Sequence, residues 1–278
     1  MAAAADTMTS DNNEYVDPDW IVVLPRRKWR KTQSKVPSLA TEVRKQEWAP
    51  SDLEIDSERE SKLVQKMQTC LKKLETSKFY ELFLNQILGS EVSACFSRVL
   101  GSHPKMNMVV YGIGSIESFE APRLQLSLAI LMKRKLDWIG DIEVFDPVLS
   151  VTESRVLESL GCPVMSINEQ GRRQVLKPTL FFMPHCEAVL YHNLLEANWN
   201  IHGLRNLALF GNSFESYDHH TSVIKDYVAS DYTKRILAAR IFTKEFRIAT
   251  GPDDHCRAFH ESSWHFFSPD AEQGLPSV

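Results

Sequence analysis

A chain of 278 residues, 43% hydrophobic and 24% charged, has room for one large domain or two small ones and the make-up of a soluble globular protein. Its net charge of -4 gives no bias towards nucleic acid, so no direct nucleic-acid binding is expected. No apolar run is long enough to cross a bilayer, and the start Met1-Ala-Ala-Ala-Ala-Asp6 lacks the charged and apolar regions of a secretory signal, which predicts a cytoplasmic protein without a membrane partner.

Residues 1–52 read as a disordered arm, rich in Ser, Thr, Asp, Asn and Pro. Within it, Trp20-Ile-Val-Val-Leu24 is an apolar island, and Arg26-Arg27-Lys28-Trp29-Arg30-Lys31 is a basic cluster. The cluster reads either as a nuclear-localisation patch, which would add a nuclear location, or as a solvated charge run.

Residues 53–104 read as a helical cap. Asp56-Ser57 can cap a first helix, whose Leu63, Met67, Cys70, Leu71 and Leu74 share one face. A second starts at Ser77-Lys78, carries Phe79, Phe83, Ile87 and Leu88, and stops at Gly89. A third holds Val92, Cys95, Phe96 and Val99 and ends at Gly101.

From 105 to 268 strands and helices alternate. Strands are expected over 108–111, 142–145, 163–167, 179–183 and 204–210, with a last one over 264–267. Helices are expected over 118–135, 152–160, 188–197 and 232–243. That order predicts an α/β fold: a Rossmann-like, doubly wound, mainly parallel sheet behind the N-terminal helical cap, with a disordered tail over 269–278.

The strand ends share a grammar: an apolar run, then small or polar residues. They give Gly112, Gly114 and Ser115 after the first strand, and Asp146 after the second. His185 follows the fourth, and Asn212 and Ser213 the fifth. In a doubly wound sheet these ends share one rim, where ligands bind. The glycines read equally as a ligand-approach turn and as a tight strand-to-helix turn. The third position of a pyrophosphate fingerprint is Glu117, whose bulk and charge disfavour a dinucleotide. S-adenosylmethionine has no pyrophosphate and is disfavoured less, with Asp146 accepting from its ribose.

His185 reads as a ligand contact or general base, or as a rim residue bonded to a carbonyl; no elbow nucleophile accompanies it, so no catalytic residue is assigned. Five cysteines without a Cys-x-x-Cys read as buried reduced thiols, although Cys162-Pro163 also fits a haem-responsive dipeptide. His219-His220 and His255-Cys256 with His260 complete no zinc pattern, so no metal is expected.

Several segments in one order resemble the Sensitivity to Red Light Reduced family, its vertebrate branch in particular. They are Val110-Tyr-Gly-Ile-Gly-Ser-Ile-Glu-Ser118, Val144-Phe-Asp-Pro147, Leu157-Glu-Ser-Leu-Gly-Cys162 and Pro178-Thr-Leu-Phe-Phe-Met-Pro-His-Cys186. Asn193-Leu-Leu-Glu-Ala-Asn-Trp199, Leu209-Phe-Gly-Asn-Ser-Phe214 and Trp264-His-Phe-Phe267 complete the set. The resemblance implies a regulatory protein of circadian rhythm and haem biosynthesis, working through regulatory partner proteins. It implies no catalytic residue and no cofactor. A methyltransferase or other small-molecule enzyme using the rim is the alternative, with S-adenosylmethionine or haem as the candidate ligand.

Overall fold

The computed structural model describes residues 46–50, 52–223, 231–249, 254–270 and 274–277. The arm's apolar island and basic cluster lie outside the described residues, as does part of the 269–278 tail. A two-residue strand, β1 (Gln46–Glu47), is followed by three helices. α1 (Ser57–Glu75) opens at the expected cap: the Asp56 carboxylate accepts from the amides of Glu58 and Arg59. α2 (Lys78–Leu88) is capped by the Ser77 hydroxyl, which accepts from Tyr80 N–H. Gly89 ends α2 and opens α3 (Ser90–Leu100), and Gly101 turns the chain left-handed at φ 55°.

The main sheet takes up β2 (Met106–Tyr111), β3 (Ile139–Phe145), β5 (Thr179–Met183), β6 (Leu207–Asn212), β7 (Thr243–Arg247) and β8 (Ser262–Phe267). Their order is β3-β2-β5-β6-β8-β7. β3, β2, β5 and β6 run parallel, while β8 is antiparallel to both its neighbours, so the sheet is mixed and mostly parallel. Successive side chains feed opposite faces. Met108, Val110, Leu180, Phe182, Ala208 and Phe210 enter the core beneath α1–α3, α4 (Glu120–Lys135) and α5 (Val151–Ser159). Val109, Tyr111, Phe181, Met183, Leu207 and Leu209 enter the other, beneath α6 (Ala188–Ala197), α7 (Ile201–Arg205) and α9 (Asp231–Arg240). Burial on both faces explains why these strands read as unbroken apolar runs.

The helices expected to cap the sheet pack directly on one of its faces, beside α4 and α5. Phe83 and Phe96 pack on Trp264 of β8 with centroids 5.7 and 5.2 Å away, and Phe79 stacks on Phe259 at 4.7 Å.

Four local expectations are corrected. The ends expected to be disordered are held where they are described: β1 is a paired strand and Trp48 packs edge-on against Phe145 at 5.4 Å, while the Pro276 carbonyl accepts from Trp199 Nε1 at 3.1 Å. The strand expected over 163–167 makes only an isolated bridge, Val144 to Val164, on the β3 edge. The chain then turns away, because β4 (Ile167–Asn168) pairs antiparallel with β1 instead. The strand expected from 204 begins at Leu207, since Asn200 caps α7 by accepting from Gly203 N–H at 2.8 Å. The last expected helix stops at Arg240, and β7 follows. β7 has one apolar residue, Phe246, beside a threonine and three charged residues, the character of a protected edge strand.

β7 also carries Glu245, whose Oε1 lies 3.6 Å from Nε2 of the fully buried His265 and whose Oε2 accepts from Glu215 N–H at 3.2 Å. Burial alone would raise this carboxyl. The His265 imidazole, with the Ser213 and Ser263 hydroxyls, outweighs burial and brings it down to about 2. A depressed folded-state value stabilises the fold above the ordinary value of 4.5, and that stabilisation is lost as pH falls towards 2. Urea denaturation from pH 6 down to about pH 3 is expected to show this loss, and Glu245→Gln to flatten it. An unchanged slope in the variant would assign the acid sensitivity elsewhere.

Candidate functional site

Between β2 and β5 the strand order reverses: the chain leaves β2 outward to β3 and returns on the other side at β5. This switch point is where a doubly wound sheet opens a crevice at its strand ends. The glycine turn leaves β2 there, and His185-Cys186 leave β5 beside it. Sequence reasoning thus places its candidates on one rim, but the structure shows how their polar atoms are used.

Gly112 and Gly114 take φ 65° and 74°, the left-handed region that glycine tolerates. A Cβ on Gly112 would lie 2.5 Å from Cys186 Sγ, so Cys186 fills the turn from the β5 side. Cys186 is buried and hydrogen-bonds the Tyr111 carbonyl at 3.2 Å, and burial raises its thiol far above the cysteine range. A Cβ on Gly114 would meet only Pro122, at 3.5 Å.

The Asp146 carboxylate closes the same turn. Oδ2 accepts from Gly114 N–H at 2.8 Å and Oδ1 from Val148 N–H at 3.0 Å. Each Asp146 oxygen thus already accepts one backbone amide. Ser115 Oγ donates to Glu153 Oε1 at 2.7 Å, and that oxygen also accepts from Glu117 N–H at 3.0 Å. Glu153 Oε2 accepts from Ser150 N–H at 2.8 Å, completing a capping box at the start of α5. Glu117 points away from the turn into Arg59 of α1, with Nε to Oε1 at 3.0 Å and Nη2 to Oε2 at 2.7 Å. The Arg59 guanidinium holds the Glu117 carboxyl below the usual range.

On the other side of the switch point, His185 sits at φ 59°, a strained value for a residue with a Cβ. Asn212 holds it there: its Oδ1 accepts from His185 N–H at 2.7 Å, and its Nδ2 donates to the Cys186 carbonyl at 3.0 Å. The ring spans two elements. Nε2 lies 3.0 Å from the His260 carbonyl and must carry the proton there, which leaves Nδ1 to accept from Gln125 Nε2 at 3.4 Å. Gln125 cannot flip without losing its 2.8 Å bond to Ala258 O. Although His185 is exposed at the surface, desolvation of its ring by the groups packed around it lowers the imidazole below the histidine range, against the opposing pull of the His260 carbonyl. Ser213 is buried; its N–H donates to Glu261 O at 2.7 Å, and its Oγ accepts from Ser216 N–H at 3.3 Å, capping α8 (Phe214–Val223).

Glu153, Gln125, Cys186 and Tyr191 carry this rim and were not singled out as site residues from sequence. Tyr191 Oη donates to Met183 O and accepts from Asn212 N–H at 2.9 Å. Ser150-x-x-Glu153 was a readable capping pattern; the others owe their places to contacts distant in sequence. The described cysteines, Cys70, Cys95, Cys162 and Cys186, are free and buried, as expected. Burial pushes the Cys162 thiol up to about 11. Among the described residues no group of three His, Cys, Asp or Glu could hold a metal ion. No helix of the described residues is long and apolar enough to cross a membrane.

Fold and rim together define a doubly wound α/β protein with a glycine turn at its switch point. Within that class, residues 52–266 match the SRR1 domain, and the chain belongs to that family. It is similar to Protein SENSITIVITY TO RED LIGHT REDUCED 1 of Arabidopsis thaliana, 55% identical over 271 residues, which are 96% of this chain and 98% of that one. The SRR1-like protein of Mus musculus is 38% identical over 139 residues, 47% of this chain and 54% of the mouse protein. The likeness therefore runs further along the plant relative than along the vertebrate one. Among solved structures, the plantazolicin methyltransferase BpumL is 10% identical with a TM-score of 0.29, covering 77% of this chain and 100% of its own.

Proposed function

We propose that this chain is a regulatory protein that couples red-light input to circadian gene expression and to haem biosynthesis, working in the cytoplasm and the nucleus through partner proteins. The supporting observation is the 55% identity to the Arabidopsis thaliana protein named for reduced sensitivity to red light, over 96% of this chain. The rim is consistent with that role. Asp146, Ser115, Asn212 and Ser213 spend their polar atoms on the chain's own loops, so the rim acts first as a scaffold.

Expression of the full chain in Arabidopsis thaliana lacking its relative tests the proposal. Restored red-light sensitivity and restored rhythm of clock-gene transcripts are the expected result. Plants that make the folded protein and remain insensitive would overturn it.

A further inference from the structure

The rim occupies the ends of the parallel strands, and their starts form a second edge of the sheet. β6 begins there at Leu207, and the antiparallel β8 finishes there at Phe267. A pocket of about 540 Å³ opens at that edge, within the size range of small-molecule sites. Its floor is apolar and buried, with Val99 of α3, Phe267 of β8 and Pro269 just beyond. Arg98, His103 and Arg205 line it as well, and all three are exposed. Among the described residues that line it there is no carboxylate.

Both arginines stand in the last turn of a helix, Arg98 of α3 and Arg205 of α7. A helix end carries about half a negative charge, and one arginine beside it is an ordinary match. Two ends sum to about one negative charge, against two guanidinium charges, so a positive excess remains at the pocket. The adjoining segments add Lys105 and Lys177 against Asp137 and Asp270, which balance. Asp270 also has a partner of its own. Neither guanidinium is used up by the fold. Arg205 Nη2 donates to Pro269 O at 3.3 Å, and Arg98 has no hydrogen-bonded or ion-paired partner among the described residues.

We infer that this pocket binds a small organic anion carrying a carboxylate or a phosphate group. Arg98 and Arg205 take the anionic group, since a guanidinium fork fits either one. The half-buried Leu100 and the aliphatic stems of the arginines cover the body. The mouth is open at Gly101, where a Cβ would meet nothing within 4 Å. The inference does not depend on the regulatory proposal: red-light complementation and anion binding are separate measurements.

The probes are phenyl phosphate, benzoate and benzylamine, each titrated into the full chain by calorimetry. Wild type is expected to bind the two anions and not the amine, and added salt to weaken binding. The tighter of the two anions identifies the head group as phosphate or carboxylate. Arg98→Gln and Arg205→Gln should each lose about tenfold or more in affinity. Ser268→Glu sets a carboxylate on the exposed wall of the pocket and should abolish binding. Arg98 and Ser268 are exposed, so thermal unfolding of those two variants should be unchanged. Arg155→Gln removes an exposed guanidinium of α5, paired with Glu60, and should bind as wild type. Three results each overturn the inference: no anion binding at millimolar ligand, amine binding as tight as that of the anions, or anion binding unchanged in either pocket arginine variant. Loss in Arg155→Gln equal to that in Arg98→Gln overturns it too, since the anions would then follow net charge and not this pocket.

Discussion

Gly112→Ala is expected to cost about 3–5 kcal/mol of folding free energy, of which about 1–2 kcal/mol is left-handed backbone strain and the rest overpacking. Two separate features set the cost. Gly112 takes φ 65°, where any Cβ is disfavoured, and that Cβ would lie 2.5 Å from Cys186 Sγ. The sulfur has little room to yield, being buried and bonded to Tyr111 O at 3.2 Å. The two contributions separate in a cycle. Cys186→Ala removes the sulfur and leaves Cys186 Cβ 3.8 Å from the new methyl, an ordinary contact. In that background Gly112→Ala should cost only the backbone strain, about 1–2 kcal/mol. Urea denaturation of the four proteins measures both. If the glycine change costs as much without the sulfur as with it, the steric account fails.

Much of the fold was legible in sequence because burial on two faces leaves a plain mark. β2, β5 and β6 read as short apolar runs, and the three N-terminal helices read from apolar spacing, with Asp56 and Ser77 as caps. Two strands left little mark: β1 is two residues long, and β7 is short and mostly charged, since an edge strand needs little apolar sequence. Residues 163–167 failed for another reason. Their composition suits a strand, but their partner is decided by β1, some 120 residues earlier in the chain. Ile201–Arg205 has the apolar content of a strand start, and the Asn200 cap decides for a helix.

The rim was legible in position but not in use. Gly112, Gly114, Asp146, His185 and Asn212 follow strands, so any parallel sheet brings them to one end. Nothing local says that Asp146 holds Gly114, or that Asn212 stabilises a left-handed histidine. Those bonds span 32 and 27 residues and exist only once β2, β3, β5 and β6 lie side by side. The same bonds make the rim a connected object. A change at Asp146 reaches the glycine turn, and one at Asn212 reaches both Cys186 and Tyr191. Family motifs at these strand ends therefore answer to folding, and a loss of function at one of them is informative only beside a stability measurement.

Glu153→Ala is expected to cost a similar amount, about 3–5 kcal/mol, because one buried carboxylate satisfies three donors. Glu153 is 2% exposed, so water cannot replace it readily. Its Oε1 accepts from Ser115 Oγ at 2.7 Å and Glu117 N–H at 3.0 Å, and its Oε2 from Ser150 N–H at 2.8 Å. Truncation strands two backbone amides and undoes the α5 capping box. Ser115 alone keeps a partner, Ser118 at 3.0 Å. Glu153→Gln should cost less, about 1–3 kcal/mol, since one oxygen remains for Ser115 and Glu117 while the new amide meets the Ser150 donor. The distinguishing readout is local. Amide exchange at Glu117 should rise steeply in Glu153→Ala and modestly in Glu153→Gln, with distant strands such as β6 following only the global change. A Glu153→Ala protein as stable as wild type, with Glu117 still protected, would show that the glycine turn is held by Asp146 and Arg59 without this acid.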